Sequence, residues 1–302
     1  MINRPLIALL PPQGGISFDE PTHRYWVWSP RRDRWLQPPS CSQVLGISGA
    51  KGFNPTHWRN KLINQEGLRP AEADAYMELH RDNRAEVGTE LHALIRQELL
   101  GIAAPPLRFA ESLLLLSTWR RQFLPQVEEV IACEAPLASV RLFFTGTPDL
   151  IARVTGRWMI VDWKSKVSAE KAKPDQAWPL QLAGYDLLAM ERYGITLDGA
   201  MNLMVWPGGC QEVYWEPEKM AELRRRYVGH LAWAHAVKGA QGAADAAGAL
   251  AHLLRLHPDA LELAPPPKGH GGWTVNQALR QSSSVRGPGP WRTISRTMRP
   301  LT

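Results

Sequence analysis

The stretch GTPDLIARVTGRWMIVDWKSK, residues 146–166, decides how the rest of the chain is read. Two extended, apolar-rich runs flank Gly156, which is the pattern of a β-hairpin. Asp149 follows Gly146 and Pro148 at the edge of one run, and Asp162 and Lys164 lie in the other. Residues two apart in a strand share a face, so Asp162, Lys164 and Ile160 project together while Met159, Val161 and Trp163 pack on the opposite side. A hairpin brings cross-strand neighbours to within roughly 5 Å. Two carboxylates that close repel unless a cation lies between them, and oxygen ligands of this kind suit Mg2+ or Mn2+. Taken alone, an Asp-x-Lys strand is more often a salt-bridged edge than a metal site. The surrounding chain decides between the two.

Upstream, EVGTELHALIRQELLG carries Leu91, Leu94, Ile95, Glu98 and Leu99 on one helical stripe with Gly101 as the stop, inside a mostly helical region from 56 to 100. A second helix is expected over 107–123. Three strands are expected between 128 and 165: VEEVIACEAPLA, VRLFFTGTPDLIARV and RWMIVDWKSK. The Lys- and Pro-rich loop VSAEKAKPDQAWP leads into a helix at LQLAGYDLLAMERYG, and NLMVWPGGCQEVYW reads as a strand pair around a PGG turn. One helix is expected over 217–256. Before all of this, SFDEPTHRYWVWSPRRDRWLQ (17–37) reads as a hairpin, followed by a short helix capped by Ser40 or Ser42. The order is that of an α/β fold. It divides into an amino-terminal hairpin and short helix (1–55) packed on the core, a core (56–256), and a basic tail (264–302), whose Pro, Gly, Ser and Arg content predicts flexibility.

The chain has 302 residues, 44% hydrophobic and 21% charged, as an ordinary globular protein does. No apolar run reaches the roughly 18 residues of a membrane span. The start, MINRPLIALLPPQGG, lacks a cleavage pattern, and a cytoplasmic location is expected. Cys41, Cys133 and Cys210 stand far apart and form no CxxC pair, which leaves them as small hydrophobes. The net charge of +6 comes from the tail: Lys268, Arg280, Arg286, Arg292, Arg296 and Arg299 face no acid there, and the remaining 29 basic side chains balance 29 acids. A polyanion partner is suggested by the pI of 9.4, but the body must meet it through a local patch.

Pro148-Asp149, twelve intervening residues and Asp162-Trp163-Lys164 resemble the PD-(D/E)xK nuclease signature. In Gly88-Thr89-Glu90-Leu91-His92 the chain matches the GxxxH element of the RecB-like branch, and Gln181 and Tyr185 match its QxxxY motif. More loosely, HRYWVW…PPSCSQVLG is similar to the start of mitochondrial genome maintenance exonucleases and phage relatives, with Ser42-Gln43-Val44 departing from that pattern. The resemblance implies a restriction-endonuclease-like core, a central mixed sheet flanked by helices. It implies Asp149, Asp162 and Lys164 as catalytic residues, and His92, Asp149 and Asp162 as ligands of Mg2+ or Mn2+. Lys164 would position the attacking water. Gln181 and Tyr185, on one helical face, would support the site or touch DNA. Glu134 fits an acidic position of some members, and Glu98 would approach the site from the His92 helix; for both, a surface or structural salt bridge is an equal reading.

The function implied is a metal-dependent DNA exonuclease in recombination, repair or end processing. A structure-specific endonuclease on the same core, or a non-catalytic DNA-binding protein on a nuclease scaffold, are the alternatives; intact Asp149, Asp162 and Lys164 weigh against the last. The scarcity of cysteines disfavours the iron–sulfur members, and no GxxxxGK[ST] motif marks a fused helicase. The basic tail would hold DNA or dock a recombination or single-strand annealing partner. Lys166, Lys171 and Lys173 read as a solvated loop, with a phosphate-contacting patch as the other reading. Trp163 and Trp178 flank the site, and one of them could stack on a base.

Overall fold

The structure, a computed structural model, describes residues 5–19, 22, 24–30, 32–50 and 55–267. The six basic residues of the tail, Lys268 to Arg299, lie outside these, as does His23 of the amino-terminal resemblance. In chain order the elements are β1 (Leu6–Ile7), β2 (Ile16–Asp19), β3 (Arg24–Ser29), β4 (Arg34–Leu36), α1 (Cys41–Ile47), α2 (Pro55–Asn64), α3 (Pro70–Leu100), α4 (Ala110–Gln122), β5 (Val127–Cys133) and β6 (Leu137–Ser139). They continue as β7 (Phe144–Gly146), β8 (Leu150–Val154), β9 (Arg157–Ser165), α5 (Ala177–Tyr193), β10 (Gly199–Trp206), β11 (Gly209–Trp215), α6 (Pro217–Ala240) and α7 (Ala244–Leu256).

Two units form. The first comprises 1–13, 50–137 and 146–224. Its centre is a mixed sheet in the order β1-β5-β8-β9-β10-β11. The β8–β9 hairpin closes through Thr155 and Gly156, whose φ values of 46° and 79° match the twist that a two-residue hairpin turn needs. Strands β9 and β10 are parallel, so the chain must cross over, and α5 supplies the crossing. The expected alternation on β9 holds. Met159, Val161 and Trp163 enter a core with Val87, Leu91 and Ile95 of α3 and Leu115 and Trp119 of α4. The opposite face meets α5, where Lys164 Nζ lies 5.9 Å from the Trp178 ring centre. Helices therefore flank a central mixed sheet, the α/β class expected.

Helix α3 is one unbroken helix of 31 residues, started by Pro70 and stopped at Gly101 with φ 71°. The strand expected across 140–154 is interrupted. Its first part turns back in the β6–β7 pair, with Phe143 at φ 59°, and only Leu150–Val154 joins the large sheet as β8. Pro148 explains the boundary, since it cannot donate to a ladder. The helix expected over 217–256 is two helices, because the chain turns at Gly242 with φ 89° between α6 and α7.

Among the described residues, the second unit lies within 14–49, 138–145 and 225–267. The hairpin expected around SPRRD is the β3–β4 pair, and β2 adds a third antiparallel strand. Ser40 is the cap of α1: its hydroxyl accepts the Gln43 N–H while the Gln43 side chain accepts the Ser40 N–H. Cys41 and Cys133 are buried and Cys210 half-buried, and all three are free thiols. Burial pushes the Cys41 thiol up to about 12, so it is inert packing.

Candidate active site

Strand register assembles the site. Cys133 of β5 pairs with Leu150 of β8, and Leu150 pairs with Val161 of β9. One step further along each antiparallel pair stand Glu134, Asp149 and Asp162, and Asp162 pairs in turn with Asn202 of β10. The Glu134 N–H donates to the Asp149 carbonyl at 3.0 Å, which fixes the first link of this row. Four polar residues, Glu134 and Asp149 just beyond the ends of β5 and β8 and Asp162 and Asn202 within β9 and β10, thus follow one another across one end of the sheet.

His92 of α3 completes the row from above. Its Nδ1 is 2.7 Å from Glu134 Oε1 and 3.6 Å from Asp149 Oδ1. One ligand atom from each of His92, Glu134 and Asp149 lies within 4.8 Å of the others, a spacing that can hold a metal ion. The His92 ring packs edge-on to Trp163 at 5.9 Å, and Trp163 packs likewise on Trp119 at 6.2 Å. Trp163 is therefore the buried wedge between helix and sheet expected of it, and its backbone N–H donates to Asp149 Oδ2 at 2.8 Å. Glu134 has a left-handed backbone at φ 49°, a conformation costly for a residue with a Cβ, which persists where the surroundings over-determine it.

Asp162 has partners of its own. Lys164 Nζ donates to both of its oxygens, at 2.9 and 2.8 Å, and Asn202 Nδ2 donates to Oδ2 at 3.0 Å. The ligand set written from the motif was His92, Asp149 and Asp162. The geometry adds Glu134 to that set, beside His92 and Asp149.

The electrostatics favour a cation. Burial, with the Asp162 and Glu134 carboxylates, holds Asp149 well above the usual carboxylate range against the pull of His92 and Lys164. Burial alone would lower His92, but Asp149 and Glu134 outweigh it and hold the imidazole up at about 9. Lys164 follows the same pattern: burial lowers it, Asp162 and Asp149 more than compensate, and the ammonium stays above its ordinary value. Three crowded carboxylates that draw protons onto their neighbours are a donor set suited to a divalent ion, with oxygen ligands for Mg2+ or Mn2+ and one imidazole.

Gln181 and Tyr185 bond to each other on α5, Nε2 donating to the phenol oxygen at 2.7 Å. They share a helical stripe with Trp178, three residues before Gln181, and Trp178 lies against Lys164. Glu98 is not brought to the site. It pairs with Arg120 of α4, because six residues past His92 a helix has turned about 240° and points the other way. Asn202 was missed by sequence reasoning. Its signal was available as the one polar side chain in the apolar run AMNLMVW, but the register that sets it beside Asp162 belongs to a parallel pair separated by a helix. Asn202 is fully buried, and its Oδ1 accepts the Trp215 Nε1–H at 3.0 Å.

A family model described as the PD-(D/E)XK nuclease superfamily matches residues 58–268. The chain belongs to this superfamily. Membership makes it a nuclease whose substrate is DNA and whose chemistry uses divalent metal ions, in accord with the acidic row and His92. No curated protein matches the chain. Twelve solved chains do, among them one described as "Crystal structure of SSO0001", at 17% identity over 61% of this nuclease and 73% of that chain, with a TM-score of 0.28. So low a score carries no argument here. Among the described residues of the nuclease, no helix is long and apolar enough to cross a membrane.

Proposed function

We propose that this nuclease is a metal-dependent DNA exonuclease of the RecB-like branch, acting in recombination, repair or end processing. The observation that carries the reading is the row Glu134, Asp149 and Asp162 with His92 at one end and Lys164 at the other. The order GxxxH, PD, DxK and QxxxY along the chain supports the branch. His92, Glu134 and Asp149 would hold the ion, with Asp162 beside them. A divalent ion held there would supply charge neutralisation and polarisation of a phosphate oxygen.

The protein's own groups do the rest. Lys164 remains an ammonium, so it donates hydrogen bonds and does not accept a proton. It orients the attacking water or offsets charge gathering on the phosphate, while Asp162 fixes its position. Trp163 keeps Asp149 and His92 in place by packing and by its backbone N–H.

The test is cleavage of 5′- and 3′-labelled linear DNA and of closed circular DNA with Mg2+ or Mn2+. Linear DNA should shorten from an end while circles persist. Lys164→Ala and Asp162→Asn should each lose roughly a hundredfold or more in rate, the scale of a lost transition-state donor. Circles cut as fast as linear DNA would make the endonuclease the better reading, and undiminished variants would dismiss the site assignment.

A further inference from the structure

Beside the acidic row lies a second, positively charged corner. Lys166 follows the last residue of β9, and its N–H still donates to the Val205 carbonyl of β10 at 2.7 Å. Its Nζ sits 4.4 Å from the centre of the Trp178 ring. Arg84 approaches from α3, whose next turn touches the end of β9: a Cβ at Gly88 would stand 3.5 Å from Ser165 Oγ. Arg84 Nη1 donates to both Glu111 oxygens, at 2.7 and 2.8 Å, which leaves Nη2 buried with no hydrogen-bond partner among the described residues. The carboxylate nearest in effect to Lys166 is Asp175, and that group is engaged at the start of α5, accepting the Ala177 N–H at 2.7 Å. Burial, then Lys164 and Arg84, lower Lys166 below the ordinary lysine range.

Lys164 and Arg84 each hold a carboxylate, Asp162 and Glu111, whereas Lys166 stands beside them against an aromatic face, with no ion pair among the described residues. The Trp178 face offsets part of the cost through its attraction for the Lys166 ammonium, and it also fixes where that ammonium stands. An arriving anion would relieve the remainder. Lys164 and Lys166 stand at the same Trp178 ring, 5.9 and 4.4 Å from its centre, so a chain of phosphates that reaches one comes within reach of the other.

We propose that Lys166, positioned by Trp178 and backed by Arg84, binds the DNA phosphodiester adjacent to the scissile one. This rests on the nuclease reading above. It assigns to the β9–α5 corner a substrate subsite outside the metal-binding row, and it gives the loop lysine Lys166 a task that the exposed Lys171 and Lys173 do not share.

Lys166→Ala in the full chain tests it. Binding of a fluorescent oligothymidine, with Ca2+ in place of Mg2+, would be followed from about 50 to 300 mM salt. Loss of one phosphate contact should lower the slope of log affinity against log salt by about 0.7 for a single strand. The oligonucleotide KM should rise roughly tenfold while kcat holds, and Lys166→Arg should restore it. Hydrolysis of bis(p-nitrophenyl) phosphate, which has no neighbouring phosphate, should be unchanged. Lys171→Ala should leave every readout as in wild type. An unchanged slope and KM for Lys166→Ala would overturn the subsite. A parallel fall on bis(p-nitrophenyl) phosphate would overturn it too, by placing Lys166 in the chemistry or in the folding of the site. If the wild type cleaves neither substrate, the nuclease reading fails, and the salt slope still decides whether Lys166 meets a phosphate.

Discussion

Replacing Asn202 with leucine removes the polar groups that join two parts of the site while keeping the branched outline of the side chain. In the wild type, Asn202 donates to Asp162 and accepts from Trp215, and it is wholly buried. Leucine leaves the Asp162 carboxylate, 1% exposed, with Lys164 as its remaining side-chain partner, and leaves the Trp215 N–H without its acceptor. A lost hydrogen bond to a buried charged group costs about 1.5–3 kcal/mol, and an orphaned neutral donor at a half-buried site costs about 1. The expected destabilisation is therefore about 2.5–4 kcal/mol, read as a lower urea midpoint without change in the slope. Activity should fall in kcat, because Asp162 and Lys164 would then turn together about one fewer anchor.

Asn202→Asp separates this account from a simple packing defect. It sets a second carboxylate about 3 Å from Asp162 in a dry site, so one of the pair must keep a proton. A carboxyl whose folded pKa is raised favours the folded state at low pH and loses that advantage as pH rises through the folded value. The Asn202→Asp penalty should therefore be small near pH 5 and large near pH 8, and Mn2+ should reduce it. If Asn202→Leu unfolds at the wild-type urea midpoint and cleaves DNA at the wild-type rate, the bridge has no role and the reasoning is wrong.

Two further predictions concern other positions. Glu134→Asn should raise stability while weakening Mn2+ binding by at least tenfold, since asparagine tolerates the left-handed backbone better and one of three crowded carboxylates is gone; calorimetric Mn2+ titration checks it, with Glu98→Ala, whose partner is Arg120, expected to bind as wild type. In the second unit, burial lowers His230 and His235 to about 4, and His235 already uses its Nε2–H on the Leu142 carbonyl at 2.9 Å with Nδ1 unpartnered. Because the unfolded chain protonates near 6.5 and the folded one near 4, stability falls as pH drops through that window, by about 3 kcal/mol for each fully buried histidine. Amide protection factors over 228–237, corrected for the slower intrinsic exchange at low pH, should fall accordingly between about pH 6.5 and 4, and pH-independent protection would count against it.

What could be read from the sequence follows from where each signal is stored. The Asp162–Lys164 face, the Trp163 side and the Gly156 turn are set by alternation and by two adjacent strands, so sequence order alone reports them. His92 and the Gln181–Tyr185 pair were legible only through their motifs, since nothing local says that α3 packs on β9 or that α5 crosses from β9 to β10. Glu98 was misleading because a stripe drawn over an apolar helix says which residues are near one another in angle. It does not say that the site lies at the His92 angle and the Arg120 contact at another. The expected single helix over 217–256 failed at Gly242, one residue whose positive φ outweighs an alanine-rich context.

Glu134 and Asn202 show the limit most clearly, and they also show why the site is a row. Neither is within ten residues of another member of the cluster, and each is placed by strand pairing: antiparallel across β5 and β8, parallel across β9 and β10. A one-residue slip in either ladder would turn its side chain to the opposite face. The apolar core that fixes those registers, Val130, Leu150, Val161 and Leu203 among others, therefore sets the geometry of the acids as well as the stability of the sheet. Substitutions that loosen this packing should lower metal affinity before they unfold the protein, because carboxylates that repel one another separate as soon as the ladder beneath them permits it.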